Sequence, residues 1–296
     1  MLASLNRFFP RMRLRRDVQL ISKMDIFCHL VLVICLPVSL LYEFIAVIPK
    51  YHSPGGYAYP LIVTFIILLF INVMANLIAC MLVDISVDYD RIKTFDVSDE
   101  CVNWRHCKIC KALAPPRSWH CATCGTCILT RDHHCNFTGC CIGHQNYRYF
   151  TCFVLYSFVL SSLLMFYNLK YFIWSMGQLT HLTHFSDMTF IQVLHNSVFS
   201  LNLIYQIFST GMIILHAPFV LKGELIGERN LKDKDKHNYD AGIYYNLRGI
   251  FGQHMHVAWI FPLFASQLPG DGYNWKLTTK DKSTETIATF HSRPTA

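Results

Sequence analysis

The chain has 296 residues, 53% of them hydrophobic and 15% charged, with a net charge of +7. Its mean hydropathy is +0.30, so there is too little charge to cover a soluble surface and the composition reads as that of a membrane protein. The positive excess serves orientation and contact with anionic headgroups rather than nucleic acid, because no basic stripe alternates with aromatics, and no nucleic-acid partner is expected.

Residues 1–26 are basic, with Arg7, Arg11, Arg13, Arg15, Arg16 and Lys23. No short apolar core followed by a small-residue cleavage site occurs here, so a removable signal peptide is not expected and the first span should act as an uncleaved anchor. Four apolar stretches, roughly 27–48, 61–83, 150–174 and 197–221, reach the ~20 helical residues that cross a bilayer core. The short loop after the first span has only Lys50, and residues 175–196 have no Lys or Arg. The segment between spans two and three carries Arg91, Lys93, Arg105, Lys108, Lys111, Arg117, Arg131 and Arg148, and the tail adds Lys222, Arg229, Lys232, Lys234 and Lys236. Positive loops stay on the cytosolic side, so both termini and the central segment are expected in the cytosol. Within the spans, Glu43 and Lys170 lie near the lumenal ends, where snorkelling would serve them. Asn72, Asn76, Asn202 and Gln206 are expected to bond neighbouring helices.

The central segment, 84–148, has no long apolar periodicity and cannot build much of a core. It is instead dense in ligands: of 13 cysteines in the chain, eight fall from Cys107 to Cys141, accompanied by His106, His120, His133, His134 and His144. On the reducing side of a membrane such a density points to metal or catalysis rather than disulfides. Two C-x2-C knuckles, Cys107/Cys110 and Cys121/Cys124, are a strong zinc signal. Adjacent ligands such as His120 and Cys121 point apart, which favours two interleaved sites. Two closed sites need eight donors, fewer than the segment offers. In "RDHHCNFTGCCIG", residues 131–143, Asp132, His133 and Cys135 are the parts of a thiol nucleophile, a base beside it and a carboxylate to orient the base.

The run "CKICKALAPPRSWHCATCGTCILTRDHHCNFTGCCIGHQNYRYF" resembles the cysteine-rich domain of the DHHC protein S-acyltransferases, integral membrane enzymes that attach fatty acyl groups, usually palmitoyl, to cytosolic cysteines. The resemblance implies one structural Zn²⁺ on Cys107, Cys110, His120 and Cys127, a second on Cys121, Cys124, His134 and Cys141, and catalysis by Cys135, His133 and Asp132. It implies acyl-CoA as co-substrate, cysteine-containing proteins at the cytosolic membrane face as acceptors, the lipid bilayer as the setting, and an endoplasmic reticulum or Golgi location. Departures from the family pattern are Asn136 and Phe137 where Pro-Trp is usual, Ala114 for a basic residue, Cys140 for Asn, and "LIGE" at 225–228 for Thr-Thr-x-Glu. Asn246 stands where the family's C-terminal motif has its asparagine. A catalytically weak scaffold or accessory subunit is the competing reading.

The expected fold is an all-α polytopic membrane protein with four transmembrane helices and a cytosolic two-zinc cysteine-rich domain between helices two and three. Its expected parts are a basic N-terminus at 1–26, helices one and two at 27–83, the cysteine-rich domain at 84–149, helices three and four at 150–221, and a C-terminal region at 222–296.

Overall fold

The structure is a computed structural model that describes residues 13–15, 22–93, 95, 104–179, 190–230, 238–264 and 266–275. Arg7, Arg11, Arg16, Lys232, Lys234, Lys236 and much of the 175–196 loop lie outside the described residues. The protein is mostly helical, and four helices are long and apolar enough to cross a membrane: Lys23–Lys50 (α1), Ala58–Leu82 (α2), Tyr147–Trp174 and Gln192–Lys222. The third belongs to the longer helix Tyr147–Leu179, and the fourth to Phe190–Lys222. The chain divides into two compact units, residues 27–75 with 152–215, and residues 1–26 with 76–151 and 216–296.

The first unit is helical throughout. Phe27, Ile34, Val38, Leu41 and Ile45 recur at helical spacing along α1 and are all exposed, a stripe suited to hydrocarbon. Helix α1 widens into π turns at Val31–Cys35 and Glu43–Val47. Pro37 follows the first of them, removing a backbone donor and disturbing the regular ladder. Glu43 does not snorkel. Its carboxylate is fully buried and accepts hydrogen bonds from the amides of Asn168 at 2.5 Å and Asn202 at 3.2 Å. Inward burial lets one carboxylate oxygen satisfy donors from two other spans, which an interfacial position would not. Gln206 bonds Ser162 across helices at 3.2 Å, whereas Asn72 donates to Leu68 of its own helix. Lys170 keeps an exposed position and lies over the rings of Tyr51 and Phe166.

The second unit is built on three two-stranded antiparallel hairpins: Arg105–Cys107 (β1) with Ala112–Ala114 (β2), Trp119–Cys121 (β3) with Thr126–Ile128 (β4), and His133–Cys135 (β5) with Cys140–Ile142 (β6). The sequence reading does not foresee these strands, since each is three residues long and too short for a period-2 pattern. Main-chain bonds tie the hairpins to the segments around them: Val87 N to Cys127 O, Leu129 N to Ile85 O and Arg131 N to Arg117 O, while Asp132 N to Ile142 O extends the third hairpin. Gly143 permits this closeness, because a Cβ there would lie 2.4 Å from the Leu129 carbonyl oxygen. One apolar cluster among the described residues joins Val87, Ala114, Cys127, Leu129 and Tyr273 with flanking aromatics; Ile85, Ile128, Ile142 and Phe150 are also buried. Residues 13–15 join as a short extended piece, with Arg13 paired to Asp84 and Asp88.

One ion pair in this unit is deeply buried. Arg117 and Glu228 have side chains 4% and 9% exposed, and the guanidinium Nε and one terminal nitrogen donate to the two carboxylate oxygens at 2.7 and 2.8 Å. The same guanidinium lies over Tyr239 and Trp275. Removing one partner strands a buried charge, so Glu228→Ala is expected to cost about 3–5 kcal/mol. In detergent it should lower the unfolding midpoint well below that of the wild type. Lys93→Ala, at the solvent-exposed pair with Asp90, should leave the midpoint unchanged.

Candidate active site

The three hairpins present their polar side chains by strand alternation, in which successive residues face opposite sides. On β3, His120 and its register partner Cys127 join Cys107 and Cys110 in one group, while Cys121 joins Cys124, His134 and Cys141 in another. Within each group the donor atoms lie within 4.8 Å of one another. Cys110 Sγ is 3.2 Å from His120 Nδ1, and Cys124 Sγ is 3.4 Å from His134 Nδ1. The knuckles are formed as their spacing requires: the amide of Cys110 donates to Cys107 Sγ and that of Cys124 to Cys121 Sγ, both at 3.4 Å. Three thiols and an imidazole converging at that spacing suit a soft or borderline cation, and eight cysteine and histidine donors fit two zinc-type ions. The sequence reading missed Asp25, which is fully buried and accepts from His134 Nε2 at 3.3 Å. A carboxylate behind a ligating imidazole fixes its tautomer and orientation. Its trace in the sequence is "SKMD": Ser22 and Asp25 cap the start of α1 reciprocally, the capping-box pattern before an apolar run.

His133 and Cys135 flank His134 on β5 and so face the other side of the hairpin. His133 Nδ1 donates to Asp132 Oδ2 at 2.8 Å. The other oxygen of Asp132 accepts from the backbone amide of Ile226 at 2.8 Å, so the "LIGE" stretch reaches the site through its main chain and needs no threonine side chains to do so. His133 Nε2 makes no formed hydrogen bond among the described residues and stands within electrostatic reach of the Cys135 thiol. Burial works against a charged His133, but Asp132 and Cys135 more than offset it and push its pKa up to about 9. Burial likewise opposes a Cys135 thiolate; His133 and the Thr138 amide and hydroxyl overcome it, and the pKa falls below the ordinary thiol value. Both shifts favour passage of the Cys135 proton to His133. Cys140, opposite Cys135 in register, differs: burial pushes its thiol up to about 11, and it donates to the Cys80 carbonyl.

Residues 100–232 match the family model described as DHHC palmitoyltransferase. Over these residues, a little under half of its length, the chain is similar to the DHHC palmitoyltransferase family. It is 33% identical over 187 residues to a Danio rerio protein named "Probable palmitoyltransferase ZDHHC24", an alignment covering 59% of this chain and 62% of that one. Proteins of the same name from Rattus norvegicus and Homo sapiens are each 31% identical, over 194 and 185 residues, covering 60% and 59% of this chain and 65% of each relative. The chain thus spans a little under two thirds of the length of these relatives. All eight clustered donors, and Asp132, His133 and Cys135, fall inside the DHHC domain match.

Two further side chains enter the site, Phe150 from the last position of the signature run and His216 from beyond it. His216 stands with its ring centroid 5.2 Å from that of His133, and Phe150 meets both imidazoles edge-on at 5.0 and 4.8 Å. No local sequence pattern marks His216, because 80 residues of chain separate it from the motif. Arg148 is buried against Tyr149 and donates to the carbonyls of Pro262 and Phe264. These bonds use one terminal nitrogen, and the Nε and Nη1 of Arg148 have no hydrogen-bond partner among the described residues. Elemental analysis of purified protein should find two tightly held zinc ions per chain, one for each Cys₃His group. Cys124→Ala should lose one of them together with much of the folding stability.

Proposed function

We propose that this chain is a protein S-acyltransferase that moves a fatty acyl group, usually palmitoyl, from acyl-CoA to Cys135 and then to a cysteine of a cytosolic or membrane-associated protein. The observation that carries this reading is the Asp132–His133 hydrogen bond, with His133 and Cys135 on the side of β5 away from His134 and neither among the clustered donors. An inert structural cysteine has no need of an oriented base.

The residues divide the work as follows. Asp132, anchored by the Ile226 amide, keeps the Nδ1 proton of His133 directed at itself, which leaves Nε2 free to take the thiol proton of Cys135. The Cys135 thiolate attacks the thioester carbonyl, the carbon–sulfur bond to CoA breaks, and the departing CoA thiolate takes the proton from His133. In the second half the acceptor cysteine gives its proton to His133 and attacks the acyl-Cys135 thioester, and Cys135 leaves as a thiolate beside the imidazolium. One thioester replaces another at each step, so no external energy source is needed. Zinc held by the eight Cys and His donors would contribute folding free energy to the hairpin segment. An acyl chain gains about 0.8 kcal/mol per methylene removed from water, which favours a reaction carried out by a membrane-embedded chain.

Orientation is part of the same proposal. The distribution of Lys and Arg supports cytosolic termini and a cytosolic DHHC domain, so that acyl-CoA and acceptor proteins have access to it. A glycosylation acceptor introduced at the exposed Tyr57 turn should be modified, and acceptors near Ser98 and Lys280, positions outside the described residues, should remain unmodified. Modification at Ser98 would overturn the topology.

The reaction itself is tested by incubating purified protein with labelled palmitoyl-CoA and scoring a hydroxylamine-labile label. Cys135→Ser is expected to keep both zinc ions and lose the label, and His133→Ala to slow labelling by about a hundredfold or more. Cys140→Ala should still label, since that thiol is held protonated and bonded to the Cys80 carbonyl. A label lost with Cys140→Ala and retained on Cys135→Ser would assign the wrong nucleophile.

A further inference from the structure

Acyl transfer through Cys135 uses one imidazole and one carboxylate, yet the site holds a second imidazole that the reaction does not require. His216 has a side chain 7% exposed, and its Nδ1 lies 3.8 Å from the Asp132 Oδ2 that also accepts from His133. That nitrogen has no hydrogen-bond partner among the described residues. Asp132, with a side chain of zero exposure, His133 and His216 each bring one donor atom to within 4.8 Å of the others. None of the three belongs to either Cys₃His group.

We propose that Asp132, His133 and His216 form a third divalent-cation site, of zinc type, whose occupancy switches off acyl transfer. Two imidazoles and a single carboxylate suit zinc and similar borderline cations, whereas calcium and magnesium take mostly oxygen donors. Three protein donors also leave a position open, unlike the closed Cys₃His groups, so binding here is weaker and reversible. The cation competes with catalysis for His133. If it takes Nε2, that nitrogen can no longer accept the Cys135 proton. If it takes Nδ1, the proton now donated to Asp132 moves to Nε2, with the same result. The inhibitory part of the proposal rests on the reading of His133 as the base; the binding part does not.

The test uses the full chain purified with its tightly held zinc and dialysed against buffered free Zn²⁺, with metal per chain and the rate of acyl labelling read from the same samples. The expected result is a third zinc, removable by a mild chelator, and labelling that falls by about a hundredfold as that ion binds. His216→Ala and, as a more conservative variant, His216→Asn should hold two zinc ions and acquire no third at the same free Zn²⁺. Wild-type protein that stays at two zinc ions, or a His216 variant that retains the third, would refute the site. Protein that binds the third ion but never labels, even with chelator present, preserves this site and defeats the acyltransferase reading. Protein that labels normally and binds no third ion does the reverse.

Discussion

Side chains of an extended strand alternate between its two sides, and in the three short hairpins that alternation organises everything else. His120 and Cys121 are neighbours in sequence and join different ligand groups; His134 turns toward one such group while His133 and Cys135 turn away from it. A single three-residue strand, β5, therefore carries both a ligand and the reacting pair. The arrangement couples them mechanically. If the clusters hold metal and His133 and Cys135 react as proposed, losing His134 or its register partner Cys141 would disturb the hairpin that holds His133 and Cys135.

Polar burial does the rest of the positioning. The Arg117–Glu228 pair and the contact from the Ile226 amide to Asp132 tie the segment after the fourth apolar helix to the hairpins. The amide contact holds one oxygen of Asp132 while His133 occupies the other. Arg117 sits at φ 62, a left-handed conformation that a bulky residue adopts only where its surroundings over-determine it; here the carboxylate and two aromatic rings do so. Asn246 serves the tail similarly, donating to the Leu221 carbonyl and to Asp240. Among the described residues of the helical unit, Glu43 with Asn168 and Asn202 is the corresponding polar knot. In each case a charged or amide group takes partners distant in sequence, where leaving it unpaired would cost several kcal/mol.

Read one residue at a time, much of the site was legible in advance. Knuckle spacing and the surplus of donors over eight marked the segment as ligand-rich, and the adjacency of Asp132, His133 and Cys135 suggested a base with its orienting acid. Four apolar runs were plain from length alone. The short strands were not, because three residues cannot display a period. The expectation for Glu43 failed because snorkelling assumes that a carboxylate near a helix end finds water first, and here it finds two amides.

What the sequence by itself determined is what depends on covalent neighbours: ligand spacing, the order of reacting groups along the chain, and apolar length. What only the tertiary structure decided is which distant groups complete those local sets. Asp25 behind His134, the Ile226 amide on Asp132, and His216 beside the same carboxylate lie 109, 94 and 84 residues from their partners. No local pattern encodes such pairings, because they follow from where separate helices and hairpins end once the whole chain has packed and its buried polar groups have been satisfied.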